Sequence, residues 1–278
     1  MSAPSAASPA ASAERKRRPA ALAGGPLRRI AVGTAAMSLT EWRKLRHDQL
    51  DLFTRSVQPL LWLFVFGTAM SRLRAIPTGG VDYRAYLAPG VMAQAAMFVA
   101  IFFGLAVIWE RDVGQLQRLL ATPLPRTALV LGKAAGAATR AVVQAVLLLI
   151  VVAIAGIDLR WRVLGVLGAL VLLALGTGVF ACLSMTIASL VKQRERFMGI
   201  GQLVMMPLFF ASSALYPLAI MPGWLRGIAH VNPLTYEVEG LRGFLLGGGH
   251  PGVDLLVCLA WLVVLAAAAT RAYPKAIL

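Results

Sequence analysis

Six apolar runs divide the chain, near residues 54–71, 84–109, 128–156, 163–190, 197–217 and 252–270. A helix rises about 1.5 Å per residue, so about 20 residues cross a hydrocarbon layer of roughly 30 Å. The pattern predicts an all-α integral membrane protein with six transmembrane helices. Arg55 stands at the mouth of the first span and Pro59 in its first turn. Pro89-Gly90 predicts a kink in the second. The third keeps Lys133 and Arg140 in its first half, and the fourth, with Gly176-Thr-Gly178, is uncharged. The fifth holds Gln202, Pro207 and the small-residue patch Ala211-Ser-Ser-Ala214.

Three polar stretches interrupt or flank these runs. In Glu110 to Arg126, Val113, Leu116, Leu119 and Leu120 recur at helical spacing, and Pro123 and Pro125 end the pattern. An amphipathic helix is more than a chain reversal needs, so this stretch reads as a docking surface for a soluble partner. In residues 38–53, Leu39, Trp42, Leu45, Leu50, Leu52 and Phe53 share one side of a helix, opposite Glu41, Arg43, Lys44, His47, Asp48 and Asp51. Ser38 is placed to cap it, with Glu41 three residues on. The expectation is a helix lying along the membrane surface, Trp42 at the interface, with Arg43 and Lys44 facing water. In residues 218–250, Pro222-Gly-Trp-Leu-Arg-Gly-Ile-Ala229 reads as a short interfacial helix. Asn232-Pro233 then caps a second, which Gly247-Gly-Gly249 ends. The domain plan is a disordered tail over 1–37, the amphipathic helix over 38–53 and a six-span body over 54–278.

Composition agrees: 59% of residues are hydrophobic and only 14% charged, against about 25% charged in soluble domains. The net charge of +15 raises nucleic acid as a partner, but the basic residues are spread over loops and tails, so nucleic-acid binding is not expected. With the N-terminus inside, 20 of the 27 Lys and Arg fall on the cytoplasmic side, the asymmetry that orients membrane proteins. Both termini and the 110–126 stretch are then cytoplasmic, in a multi-pass membrane protein.

Little in the chain suggests chemistry of its own. Gly132-Lys133 lacks the upstream glycine and following hydroxyl of a P-loop, so no ATP or Mg site is expected here. His47, His230 and His250 are scattered, and Cys182 and Cys258 sit singly in apolar runs, so neither a metal nor a redox site is expected. Nothing points to catalysis. Arg140 is expected to snorkel or to pair with a carboxylate. Gln58, Gln94, Gln144 and Gln202 either line a pathway or join helices by hydrogen bonds. Met206 and Phe209 are further pathway candidates beside them. Glu237 and Glu239 are left open between capping, pairing with Arg242 and facing a pathway.

Two motifs resemble a known family, the type-2 ABC exporter permeases, which include the daunorubicin-resistance permeases. One is Glu110-Arg111 through Gly114 to Leu119-Leu120-Ala121-Thr122-Pro123. The other is Tyr216-Pro217, Pro222-Gly-Trp-Leu225, Asn232-Pro-Leu-Thr-Tyr236 and Leu241-Arg242. The resemblance implies that Glu110, Arg111, Gly114, Leu119, Leu120, Thr122 and Pro123 form a coupling helix on a separate ABC ATP-binding subunit. It makes the 38–53 segment, with Trp42, Arg43 and Lys44, an elbow helix. It implies a second permease, identical or related, around a pathway formed chiefly by spans 1, 2 and 5, with the ATP and Mg held by the partner. The implied cargo is a hydrophobic drug or lipid-like natural product, with polysaccharide or glycolipid as the alternative. A secondary transporter without an ATPase would leave the docking stretch without a purpose.

Overall fold

A computed structural model describes residues 26–45, 49–73, 76–114, 125–191 and 193–273. Every regular element among them is helical. The order is α1 (Pro26–Leu45), α2 (Gln49–Leu61), a π-helical turn (Trp62–Phe66), α3 (Gly67–Leu73), α4 (Tyr83–Asp112), α5 (Arg126–Ile154), α6 (Val163–Leu190) and α7 (Arg194–Phe210). A 3₁₀ turn (Leu218–Ile220), α8 (Gly223–Val231), α9 (Pro233–Leu245) and α10 (Pro251–Ala272) follow.

Among the described residues, α4, α5, α6 and α10 are long and apolar enough to cross a membrane, with mean hydropathy of 2.3 to 2.5. The other two expected spans are built differently. The first is helical from α2 through α3, but Pro59 removes an amide donor and the helix widens into its π turn at Trp62. The fifth was expected to reach residue 217, yet α7 stops at Phe210 after 17 residues. Pro207 breaks the ladder there. The Ser212 hydroxyl donates to the Phe209 carbonyl at 2.7 Å and accepts from the Ala214 amide at 3.2 Å, folding the chain back.

α6 is the hub, packed against α4, α5, α9 and α10. It carries no charge, so every face can be covered by another helix. Small residues set how closely α4 approaches. A Cβ on Gly104 would collide with Ser184 and Phe197, and the Ser184 hydroxyl donates to the Ile101 carbonyl at 2.9 Å. Close backbones joined by a hydroxyl are how helices associate where burial from water offers no drive.

The N-terminal expectations need correction. Residues 26–37, expected in a disordered tail, are helical from the first described residue, Pro26, onward. Ser38 does not cap: it lies mid-helix and its hydroxyl donates to the Thr34 carbonyl at 2.9 Å, a bond open to a hydroxyl only inside a helix. The 38–53 segment falls in α1 up to Leu45 and in α2 from Gln49, and residues 46–48 between them lie outside the described residues. α1, which contains Trp42, Arg43 and Lys44, packs against α5.

Candidate functional site

α4 organises the functional regions because it meets all three. Its ends, Tyr86 and Glu110, lie 24 residues apart, about 36 Å along the helix.

At the Glu110 end the helix stops at Asp112. Gly114 follows with φ +70, and its amide bonds the Arg111 carbonyl at 3.0 Å, a left-handed helix cap that suits glycine. Glu110 and Arg111 therefore occupy the last turn of α4 rather than the first turn of a separate docking helix. The Lys133 ammonium of α5 donates to both Glu110 oxygens, at 2.5 and 2.6 Å. Lys133 is only 3% exposed. Tyr273, just past α10, is wholly buried; burial and the Glu110 carboxylate push its phenol upward. Outside this pair, Asp112 bridges Arg111 at 3.3 Å and Arg194 of α7 at 2.9 Å. Arg194 also stacks over Trp109, 5.3 Å from the ring centre. Leu119, Leu120, Thr122 and Pro123 lie outside the described residues.

At the other end, the folded-back chain after α7 leaves carbonyls that a helix would have satisfied. Asn232 and Arg242 take them. Asn232 donates to Leu208 and Ala211 at 2.6 and 3.1 Å, and accepts from the Leu234 amide at 3.0 Å. It is thus the expected cap of α9 and also a clasp on α7. Arg242 donates to Ser213 and Ala214 at 2.7 and 3.1 Å and to Tyr86 at 3.2 Å. Its guanidinium lies 3.6 Å from the Tyr86 ring centre and bonds Glu239 at 3.1 Å. Tyr83 adds a bond to the Leu215 carbonyl at 2.8 Å. Irregular backbone among spans is stable only when its polar groups are met inside the protein, and these three side chains meet them. Of the two glutamates left open, Glu239 pairs with Arg242. Glu237 is fully buried where Gly176 leaves room, both oxygens without a partner among the described residues. A neutral acid fits that enclosure and a carboxylate does not.

Between the ends lies a cavity of about 520 Å³, lined from α2 by Gln58 and Pro59, from α4 by Gln94 to Phe102, from α5 by Gln144 and from α7 by Met198, Gln202 and Met206. Four of the five expected pathway residues therefore meet in one place. The fifth, Phe209, is elsewhere. On α7 the stripe Phe197, Gly201, Met205 and Phe209 is buried in the core, while Met198, Gln202 and Met206 form the adjacent stripe facing the cavity. Arg140 stays outside the lining and stacks over Phe103, 5.5 Å from the ring centre.

The sequence reading missed the Glu110–Lys133 pair, although opposite charges at the matching ends of adjacent spans were a usable signal. It also missed Arg242 as a clasp, because the partners are carbonyls and leave no mark in the sequence.

The profile of the family described as ABC-2 type transporter matches residues 34–246. Nodulation protein J of Rhizobium leguminosarum bv. trifolii is 32% identical over 237 residues, 84% of this chain and 87% of that protein. Putative transport permease ycf38 of Porphyra purpurea is 30% identical over 225 residues, 80% of this chain and 76% of that one. Daunorubicin resistance ABC transporter permease protein DrrB1 of Streptomyces coeruleorubidus is 27% identical over 243 residues, 84% of this chain and 83% of that one. The matched region takes in the Glu110 end, the cavity and the Arg242 clasp, and the chain belongs to the ABC-2 type transporter family of membrane permeases.

Proposed function

We propose that the chain is the membrane subunit of an ATP-driven exporter, moving a hydrophobic drug or lipid-like natural product out of the cytoplasm. Energy comes from a separate ABC ATP-binding subunit that docks at the Glu110 end. The observation that carries this is the continuity of α4. One helix ends at the docking side, lines the cavity at Gln94 to Phe102, and is clasped through Tyr86 by Arg242 at the far side. A push at Glu110 reaches the cavity without a hinge.

The α2–α3 helix and α7 supply spans 1 and 5, giving six crossings of a bacterial cell membrane. The charge asymmetry supports cytoplasmic termini and a cytoplasmic Glu110 end. Arg242, Asn232 and α8 then face outward, with Trp224, 71% exposed, at the interface. Gln58, Gln202 and Met206 are exposed beside the cavity, and a second permease, identical or related, completes the wall. The relative named for daunorubicin resistance supports a drug-like cargo.

The test is copurification of the full chain with an ABC ATP-binding subunit in nanodiscs, and ATP hydrolysis measured against a compound panel. Hydrophobic natural products are expected to stimulate hydrolysis. Export by cells lacking every such subunit would sink the proposal.

A further inference from the structure

The walls of the cavity bear on its cargo, provided the cavity belongs to the transport pathway proposed above. Twelve described residues line it and none of these is charged. Four are glutamines, and no hydrogen bond among the described residues engages the side chains of Gln58, Gln94 or Gln202. Gln94 is buried deep in the apolar α4, while Gln58 and Gln202 face the open side of the cavity from α2 and α7; within the span an unpaired amide is costly. Each offers a carbonyl acceptor and two N–H donors without net charge. Phe98, Phe102, Met198 and Met206 supply flat and adaptable apolar wall between them. The volume, about 520 Å³, suits one drug-sized molecule.

Each competing cargo class leaves something unmet. Among the described residues an anion would find no Lys or Arg on this wall, and a cation no carboxylate. A plain hydrocarbon would leave the amides unpaired. We infer that the cavity takes an uncharged amphiphile. Its aromatic or acyl body packs on Phe98, Phe102, Met198 and Met206, and its hydroxyl, carbonyl or amide groups pair with Gln58, Gln94 and Gln202.

The experiment titrates the full-length permease in nanodiscs with four fluorescent probes, with empty discs as background. Nile red is neutral and bears a carbonyl, rhodamine 6G is a cation, fluorescein is an anion and pyrene is a hydrocarbon. Saturable Nile red binding, at least about ten-fold tighter than that of the other three, is expected. Gln94→Met and Gln202→Met keep the side-chain volume and remove the amide. Each is expected to weaken Nile red by about ten-fold, the scale of one well-made hydrogen bond, with pyrene binding and melting temperature unchanged.

Rhodamine 6G or fluorescein binding as tightly as Nile red overturns the inference in the unaltered protein, whether or not the variants fold. Nile red binding that is indifferent to both variants also overturns it, and assigns the amides to contacts between permease copies. Saturable, glutamine-dependent Nile red binding that never stimulates the partner's ATP hydrolysis supports the inference about the cavity and removes the pathway reading instead.

Discussion

The two ends of α4 are held by opposite means. At the Glu110 end, side chains hold side chains: Glu110 pairs with Lys133, and Asp112 with Arg111 and Arg194. At the Arg242 end, side chains hold backbone: Arg242, Asn232 and Tyr83 bond the carbonyls of Leu208, Ala211, Ser213, Ala214, Leu215 and Tyr86. The Asp112 pairs are exposed, individually weak and able to exchange partners, and only the Glu110–Lys133 pair at this end is buried. Buried carbonyls have no alternative partner, so losing their donor leaves the full desolvation cost. The difference makes the Glu110 end the one that can move and the Arg242 end the one that must not.

The largest effect belongs to Arg242. Arg242→Met keeps most of the apolar volume but orphans the buried Ser213 and Ala214 carbonyls and removes the bonds to Tyr86 and Glu239. At about 1–3 kcal/mol for each unsatisfied buried group, the loss is on the order of 3–5 kcal/mol or more. The expected readout is a collapse of folded yield and melting temperature in detergent. Arg242→Lys is not expected to rescue, because a single ammonium cannot reach Tyr86, Ser213 and Ala214 together. A stable Lys variant would reduce the clasp to a plain charge contact.

Next is Lys133. Lys133→Met leaves the Glu110 carboxylate facing an apolar wall, and breaking a buried pair from one side costs about 3–5 kcal/mol. Replacing both, as Glu110→Leu with Lys133→Met, is expected to recover most of that loss, since apolar pairs substitute well for buried ions. A double-mutant cycle on melting temperature measures this. Additive losses would mean the two residues act separately and the end is not pinned by their pair. Glu110→Lys sets a second ammonium against Lys133, so failed coupling in that variant reports a loosened α4 as much as a lost contact with a partner.

Asn232→Ala follows, at about 2 kcal/mol, from one lost helix cap and two lost carbonyl bonds. Asn232→Asp separates the roles. Aspartate still accepts from the Leu234 amide but cannot donate to Leu208 and Ala211. If the Asp variant melts with the unaltered protein, the cap matters and the clasp on α7 does not.

These contrasts also explain what the sequence disclosed. Apolar runs yielded α4, α6 and α10 nearly to their ends because hydropathy is a local property. Asn232-Pro233 announced its helix for the same reason. The cavity was legible as glutamines in apolar runs, but not which face of α7 it used. Met206 and Phe209 are three residues apart, about 60° short of a full turn. That offset puts one on the cavity and the other in the core. Pro207 gave notice of the break in α7, but where the freed carbonyls go depends on Arg242, 28 and 29 residues later. Pairings between a side chain and distant backbone have no periodicity to detect.

The smallest effect is the most informative about motion. Gly114 has φ +70, and no described residue lies within 4 Å of where a Cβ would stand. Against the described residues a substitution costs only the left-handed backbone, about 1–2 kcal/mol for an ordinary residue. Gly114→Ala is therefore expected to leave folding and melting temperature within a few degrees of the parent. It strains the turn by which α4 passes into residues 115–124, the segment assigned to the ATP-binding partner. Transport per ATP hydrolysed should fall, while Gly114→Asn, which tolerates that backbone better, should fall less. A fall in stability equal to that of Lys133→Met would contradict the contrast, because the turn beyond the Glu110–Lys133 pair would then be as rigidly built as the Arg242 end.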